Sequence, residues 1–188
     1  MRKVLFYIQS VRFIPHIIIL LFFNKNNIIW EDAKVWVKRY GYIWNRLGSI
    51  LFLLIKYKEF RTLFYYRVRY AKLFKVLAPG LNSLYIKTNN IGKGLFIQHG
   101  FSTIITAESI GENCWINQQV TIGWTAAGSP IIGDNVRIGA GAIVIGNIKI
   151  GDNSTVGAGT TINASIPNNS LVVGAKPRVI WNHIVENQ

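Results

Sequence analysis

The chain has 188 residues, half of them apolar and 13% aromatic, so it is long and apolar enough to bury a core in one or two domains. Lys and Arg outnumber Asp and Glu by 21 to 8, which gives a formal net charge of +13. The only cysteine, Cys114, excludes an internal disulfide and a zinc site built from several cysteines.

The positive charge is confined to the first half of the chain. Residues 1–90 carry 16 Lys and Arg against three acids, whereas residues 91–188 carry five of each kind. This change in composition predicts a boundary between two modules. We expect a basic, aromatic-rich helical module at residues 1–82, a second domain at 83–180 and a tail at 181–188.

The apolar stretch near the N-terminus is too short to cross a membrane. Residues 17–23 are uniformly apolar, but a spanning helix needs about 20 such residues, and the preceding positions include Pro15 and His16. No small-residue cleavage motif of a signal peptide follows the stretch. We therefore expect a cytoplasmic protein, with peripheral attachment to the inner face of the cytoplasmic membrane as an open option.

Residues 31–77 are rich in aromatic side chains and in Lys and Arg, and their periodicity predicts helices. Three uses of this module are open: a platform that docks on anionic lipid, a helical collar that packs the subunits of an oligomer, and a nucleic-acid-binding segment. No RNA- or DNA-binding motif accompanies the basic residues, so we expect no nucleic-acid partner.

A β-branched aliphatic residue recurs every six positions in the second half of the chain. Without any insertion, the repeat occupies Ile132, Ile138, Val144, Ile150, Val156 and Ile162. A fixed period of this kind predicts a solenoid. Each hexad forms a short strand and a turn, and three hexads close one triangular coil, so the expected fold class is mainly β.

Two interruptions of the period mark places where function can be grafted onto the solenoid. The step after Ile97 takes seven residues and contains His99, and the step after Ile122 is lengthened by the loop 123–130. The two interruptions can then lie close together, within one subunit or across a subunit interface.

The stretches "IGKGLFIQHG" and "VRIGAGAIVIGNIKIGDNSTVGAG" resemble the hexapeptide-repeat acyltransferases, and most of all their serine acetyltransferase-like branch, which includes polysaccharide O-acetyltransferases of bacteria. The resemblance covers residues 85–180. It implies a left-handed parallel β-helix after the helical module, a homotrimer, acetyl-CoA as the acyl donor and no metal. It also implies that His99 is the general base for direct attack of an acceptor hydroxyl on the thioester, which suits an imidazole that titrates near neutral pH. The alternative for His99 is a structural histidine in a bent turn.

The resemblance also assigns residues to the acyl donor. Small residues that would line the channel for coenzyme A are Ala140 and Gly141 on one turn and Ala158 and Gly159 on another. In the closing segment, Lys176 and Arg178 are the expected partners of the coenzyme A phosphates.

Further roles concern the reacting centre. The backbone N–H of Gly123 or Trp124 is the expected donor to the tetrahedral oxyanion. Glu108 or a backbone carbonyl is the expected partner that orients His99. Cys114 occupies an inward position of its hexad, so we expect it to pack in the core and not to act as a nucleophile.

The residues near His99 differ from those of serine acetyltransferases. Those enzymes carry an aspartate upstream, where this chain reads "SLYIK", and an acid immediately before the histidine, where this chain has Gln98. Their extruded loop supplies a histidine and an arginine, whereas residues 124–130 carry no charge. Because burying a carboxylate without a cationic partner is costly, we expect a neutral acceptor, with Trp124 as a platform for a sugar ring.

The leading hypothesis from sequence is therefore an acetyl-CoA-dependent O-acetyltransferase that acts on a sugar hydroxyl in capsular or exopolysaccharide biosynthesis. Its acceptor would be a saccharide, with a lipid-linked form as one option. The alternatives are a serine O-acetyltransferase of cysteine biosynthesis and a non-catalytic, membrane-associated β-helix scaffold.

Overall fold

The computed structural model describes residues 2–23, 27–42 and 45–175. Within these ranges, five α-helices and one 3₁₀ helix precede fourteen short strands. The helices are α1 (Arg2–Val11), α2 (Ile14–Phe23), α3 (Ile28–Arg39), α4 (Arg46–Lys56) and α5 (Lys58–Arg67), and the 3₁₀ helix is Arg69–Phe74. No helix of these described ranges is both long and apolar enough to cross a bilayer.

The helices bury apolar side chains in a cluster that continues into the β-helix. Asn45 starts α4 as its N-cap, because its side-chain Oδ1 accepts a hydrogen bond from the Gly48 N–H at 2.7 Å. Phe60, Leu63 and Phe64 of α5 are completely buried, as their helical spacing predicts. The helical module therefore has a packed interior and is more than a basic surface layer.

The strands follow one another around a triangular prism. Their bounds are β1 (Leu84–Ile86), β2 (Asn90–Ile91), β3 (Phe96–Ile97), β4 (Thr103–Ile105), β5 (Ser109–Ile110), β6 (Trp115–Ile116), β7 (Thr121–Gly123), β8 (Ile131–Ile132), β9 (Arg137–Ile138), β10 (Ile143–Ile145), β11 (Lys149–Ile150), β12 (Thr155–Val156), β13 (Thr161–Ile162) and β14 (Leu171–Val172). The first sheet is β1-β4-β7-β10-β13, the second is β2-β5-β8-β11, and the third is β3-β6-β9-β12-β14. Through β13, successive strands move to the next sheet and pair in parallel with the strand one coil earlier. The chain is a left-handed parallel β-helix preceded by helices, which confirms the predicted fold class.

The period of the repeat determines how the coils stack. One uninterrupted coil takes 18 residues, as between Asn135 and Asn153, whose side chains are hydrogen-bonded. The coil that contains His99 takes 19, and the coil that contains the loop 123–130 takes 22. The extra residues lengthen corners and leave the strand register intact, so repeat positions such as Ile116 and Ile138 remain paired and buried.

Helix α3 fixes the helical module onto the first coils of the β-helix. Asp32 is buried, forms an ion pair with Arg67 at 2.8 Å, and accepts hydrogen bonds from the N–H groups of Gly94 and Leu95. Trp36 donates its indole N–H to the Leu95 carbonyl at 2.8 Å. These contacts satisfy buried polar groups on both sides of the junction, so the two modules share one interior.

Candidate functional site

His99 lies on the corner of the prism that follows the third sheet. The turns of this corner are residues 98–102, 117–120, 139–142 and 157–160, and we call them the His99 corner. His99 itself has a left-handed backbone with φ of 64°, and Gly100 follows with φ of 61°. This conformation is uncommon for a residue with a side chain. It lengthens the corner so that Ile105, and not Ile104 as the seven-residue step predicts, is the buried repeat position of β4, and it leaves the imidazole exposed on the outside of the coil.

The acid beside His99 comes from the helical module. Glu59 lies in the first turn of α5, and its Cβ would be 3.2 Å from a Cβ built at Gly100. Glycine at this position therefore lets α5 approach the corner closely. Burial raises the pKa of the Glu59 carboxyl above its ordinary value, and the nearby charge of His99 acts in the opposite direction. A half-buried carboxylate thus lies near the proposed base.

Glu59 is not among the site residues predicted from sequence, although the sequence contains a feature that points to it. Between Asp32 and Glu108, Glu59 is the sole acidic residue of the chain. A single carboxylate in so long a basic stretch, which is also half-buried, indicates a specific partner.

A groove of about 480 Å³ runs along the His99 corner from coil to coil. His99 and Gln98 lie at one end, and small residues of the later coils lie at the other, namely Gly139, Ala140, Gly157 and Ala158. A Cβ built at Gly139 would be 2.5 Å from the Ala158 backbone nitrogen, so successive coils approach each other with no room for a side chain between them. The predicted donor residues Ala140 and Ala158 therefore share one groove with His99. Gly141 and Gly159 belong to the same two turns and have positive φ values of 68° and 65°.

Two arginines lie beside this groove on the ring of Trp115. The guanidinium carbon of Arg137 is 3.9 Å from the centre of the Trp115 ring, and that of Arg39 is 4.2 Å from it. Arg137 also lines the groove together with His99. Partial desolvation of its exposed guanidinium group lowers the pKa of Arg39 below its ordinary value, and the neighbouring charge of Arg137 lowers it further.

Other predicted site residues lie elsewhere. Gly123, Trp124 and Glu108 belong to the corner between the first and second sheets, so within one chain they are not beside His99. Trp124 is 69% exposed, and the Glu108 N–H donates to the Pro130 carbonyl.

Lys176 and Arg178 fall outside the described residues, as does His183. His16 is buried, and its Nε2 is hydrogen-bonded to the Tyr65 hydroxyl at 2.8 Å, which is a structural contact. Cys114 is buried as well, and this burial raises the pKa of its thiol to about 12. Its thiol is therefore unreactive at neutral pH, in agreement with a packing role.

Comparison with known proteins identifies the repeats and their relatives. Residues 129–164 match the family model described as bacterial transferase hexapeptide (six repeats). A serine acetyltransferase of Synechococcus elongatus is 36% identical over 96 residues, which are 48% of this chain and 39% of that protein. A serine acetyltransferase of Staphylococcus aureus is 45% identical over 95 residues, which are 48% of this chain and 45% of that protein. The chain thus matches less than half the length of these curated relatives.

Solved structures agree with the sequence matches and extend over the helices. The serine acetyltransferase of Neisseria gonorrhoeae in complex with serine has a TM-score of 0.64 at 27% identity, over 80% of this chain and 68% of that one. The soybean serine acetyltransferase apoenzyme has a TM-score of 0.65 at 29% identity, over 82% and 68%.

These relatives overturn the prediction of a saccharide acceptor and of a role in surface-polysaccharide biosynthesis. The similar proteins are serine acetyltransferases, which favours the alternative drawn from the sequence. The loop 123–130 and the segment before His99 lack the charges that serine acetyltransferases carry there. The fold supplies an acid from α5 and cations from α3 and β9, which are distant in the chain from both.

Proposed function

We propose that this protein transfers the acetyl group of acetyl-CoA to the hydroxyl of L-serine. The observation that carries the proposal is His99 at one end of a groove lined with small residues, beside a half-buried carboxylate. The similarity to serine acetyltransferases supports the choice of donor and acceptor.

His99 acts as the general base in this mechanism. It takes the proton of the serine hydroxyl while the hydroxyl oxygen attacks the thioester carbonyl of acetyl-CoA. The tetrahedral intermediate then collapses, the carbon–sulfur bond breaks, and the imidazolium returns its proton to the leaving thiolate. The negative charge of Glu59 stabilises the imidazolium that forms between these two steps. Cys114 takes no part, because its thiol is buried and remains protonated at neutral pH.

The donor lies along the His99 corner. An extended pantetheine arm needs a surface without protruding side chains, and the turns at Gly139–Ala140 and Gly157–Ala158 provide one. With the thioester at His99, the arm runs over these turns toward the later coils. Lys176 and Arg178 remain the proposed partners of the coenzyme A phosphates.

The oxyanion donors come from a second subunit in this proposal. Gly123 and Trp124 lie on a different corner from His99 in one chain, so they reach the reacting carbonyl only across an interface between subunits. A homotrimer of parallel prisms brings the corner of one subunit against the face of the next. The backbone N–H of Gly123 or Trp124 would then donate to the oxyanion.

Acetyl-CoA consumption by the purified full chain tests the assignment. With L-serine as acceptor we expect release of the free coenzyme A thiol and a product heavier by one acetyl group, read by mass spectrometry. D-Serine and L-alanine are matched controls, since the first has the wrong configuration and the second lacks the hydroxyl. Absence of acetyl transfer to L-serine would refute the proposal.

We also propose that the helical module docks on an anionic membrane surface. Ile14, Ile18 and Phe22 of α2 are exposed, and so are Leu73 and Val76, at 77% and 85%. The two segments are adjacent, because the rings of His16 and Phe74 lie 6.2 Å apart. We call these five residues the apolar face.

The positive charge around the apolar face favours an anionic lipid surface, and not a second copy of the chain, as its binding partner. Lys72 and Lys75, the chain neighbours of Leu73 and Val76, are exposed, and residues 60–107 contain no acid at all. A second copy would bring the same cations against each other, whereas anionic headgroups would neutralise them. Exposed apolar side chains among cations are the composition of an interfacial membrane contact.

A further inference from the structure

Trp115 carries two arginines on the outer surface of the third sheet. Phe96, Trp115 and Arg137 are register partners on the consecutive strands β3, β6 and β9. Arg39 reaches this ladder from the end of α3, and its guanidinium carbon is 5.2 Å from the Phe96 ring centre. Cation–π contacts with Trp115 and Phe96 therefore hold both guanidinium groups in position.

No carboxylate neutralises this pair in the part of the chain that the structure describes. The ion pairs found there join Lys34 to Glu31, Arg67 to Asp32, and Lys93 to Glu112. Arg39 and Arg137 are both exposed, and the two positive charges repel each other. Two fixed, unpaired guanidinium groups beside a groove form a site for an anion, because planar forks of N–H donors match a carboxylate or a phosphate.

The position of the pair relative to His99 selects the anion. Neighbouring strands lie about 4.8 Å apart and a strand rises about 3.3 Å per residue, so Trp115, the register partner of Phe96, lies at most roughly 11 Å from His99 between Cα atoms. An imidazole, a bound serine and a guanidinium group can together span this distance. Arg137 lines the same groove as His99. In serine, three bonds separate the hydroxyl oxygen from the carboxylate carbon. The phosphates of acetyl-CoA are separated from its thioester by the whole pantetheine arm, which spans many strand spacings.

We propose that Arg39 and Arg137 bind the carboxylate of the acceptor while its hydroxyl faces His99. This inference rests on the proposed acetylation of serine. In this proposal the cations that bind the acceptor carboxylate come from β9 and α3. The loop 123–130 therefore needs no charge of its own, and it carries none.

The test removes the positive charge of each arginine and, separately, the negative charge of the acceptor carboxylate. The variants Arg137→Gln and Arg39→Gln are assayed with L-serine and with L-serinamide, in which a neutral amide replaces the carboxylate. We expect the KM for L-serine to rise about 10- to 100-fold in each variant, the loss typical of one charge-assisted hydrogen bond. The KM for acetyl-CoA and the kcat/KM for L-serinamide should stay within twofold of the wild type. Arg137→Lys should recover part of the loss, because it keeps the charge without the fork.

Arg46→Gln is the matched control, because Arg46 is an exposed arginine stacked at 4.4 Å on Trp30, away from the groove. It should leave all of these constants unchanged. If wild-type protein acetylates L-serine and both Gln variants keep its KM, the carboxylate site is refuted while the proposed function stands. A rise confined to the KM for acetyl-CoA would also refute it, since the pair would then bind a phosphate of the donor. If the wild type fails to acetylate L-serine, both proposals fall.

Discussion

Glu59 lies near His99 although the two residues belong to different modules of the chain. The first turn of α5 packs against the corner that follows β3, and the absent side chain of Gly100 allows this approach. The acid is half-buried and the imidazole is exposed. The helical module therefore completes the candidate site, in addition to covering the first coils.

Replacing Glu59 by Gln should slow the reaction and stabilise the fold. Without the carboxylate the imidazolium loses a nearby stabilising charge, so turnover should fall roughly 10- to 100-fold, the loss typical when the carboxylate partner of a metal-binding histidine is removed. Burial raises the pKa of Glu59 in the folded state, so its ionised form costs stability, and the cost grows as pH rises through that raised pKa. Thermal melts should show a higher Tm for Glu59→Gln at pH 7 and a smaller difference at pH 4. A variant that is less stable than wild type at pH 7, with unchanged turnover, would contradict both parts.

Replacing Asp32 by Ala should destabilise the junction between the modules. The change leaves Arg67 buried without its partner and removes the acceptor of two N–H donors, which costs about 3–5 kcal/mol. Urea unfolding measures this loss. The control is Glu31→Ala, one residue earlier on α3, whose carboxylate is half exposed and lies 4.0 Å from Lys34. That variant should change the free energy of unfolding by less than about 0.5 kcal/mol. Equal effects of the two variants would mean that Asp32 does not anchor the helices.

Cys114 should be inert in the native protein. Its raised pKa, about 12, keeps the thiol protonated, so iodoacetamide at pH 8 should alkylate it only after unfolding. Cys114→Ala should keep full turnover and lose about 1 kcal/mol of stability, because it removes one small buried group. Rapid alkylation of the folded protein with loss of activity would mean that the thiol takes part in the chemistry.

The apolar face should bind vesicles that contain an anionic lipid such as phosphatidylglycerol. In co-flotation, binding should weaken as salt rises, because the attraction of Lys and Arg is screened, and the apolar contact should leave a salt-resistant fraction. The double variant Leu73→Ser and Val76→Ser should lose that fraction. Leu171→Ser, which changes a residue of the β-helix that is 70% exposed, should not. Failure to float at low salt would refute the membrane contact. Self-association that the double variant abolishes would assign the face to a second copy instead.

The β-helix could be predicted from sequence because its coils bury side chains at regularly spaced positions. Ile116 and Ile138 are nearly inaccessible and paired, as their spacing predicts. The position of His99 on the same corner as Ala140 and Ala158 also follows from counting hexads, since turns a whole coil apart stack. Glu108 and Trp124 lie on the next corner, so within one chain the two interruptions do not meet and Glu108 is not placed to orient His99.

The residues that lie near His99 could not be predicted from the repeat. Glu59 and Arg39 reach the third sheet from helices, and no period of the repeat predicts where a helix packs on a solenoid. Arg137 occupies an outward position of its strand, where the repeat constrains nothing, and Trp115 beside it gives it a fixed place. The expectation of a neutral acceptor was wrong because it rested only on residues close to His99 in the chain and on the loop 123–130. The cations near His99 come from α3 and β9.

The turnover rate of His99→Asn with L-serine and acetyl-CoA tests the central claim most directly. Asparagine tolerates the left-handed backbone that His99 adopts at φ of 64°, so the corner should keep its shape, while an amide cannot accept the proton. We expect an unchanged Tm, unchanged binding of coenzyme A and a turnover rate lower by about 10²–10⁴-fold. A folded variant that keeps near wild-type turnover would show that His99 is a structural residue of the corner and not the general base.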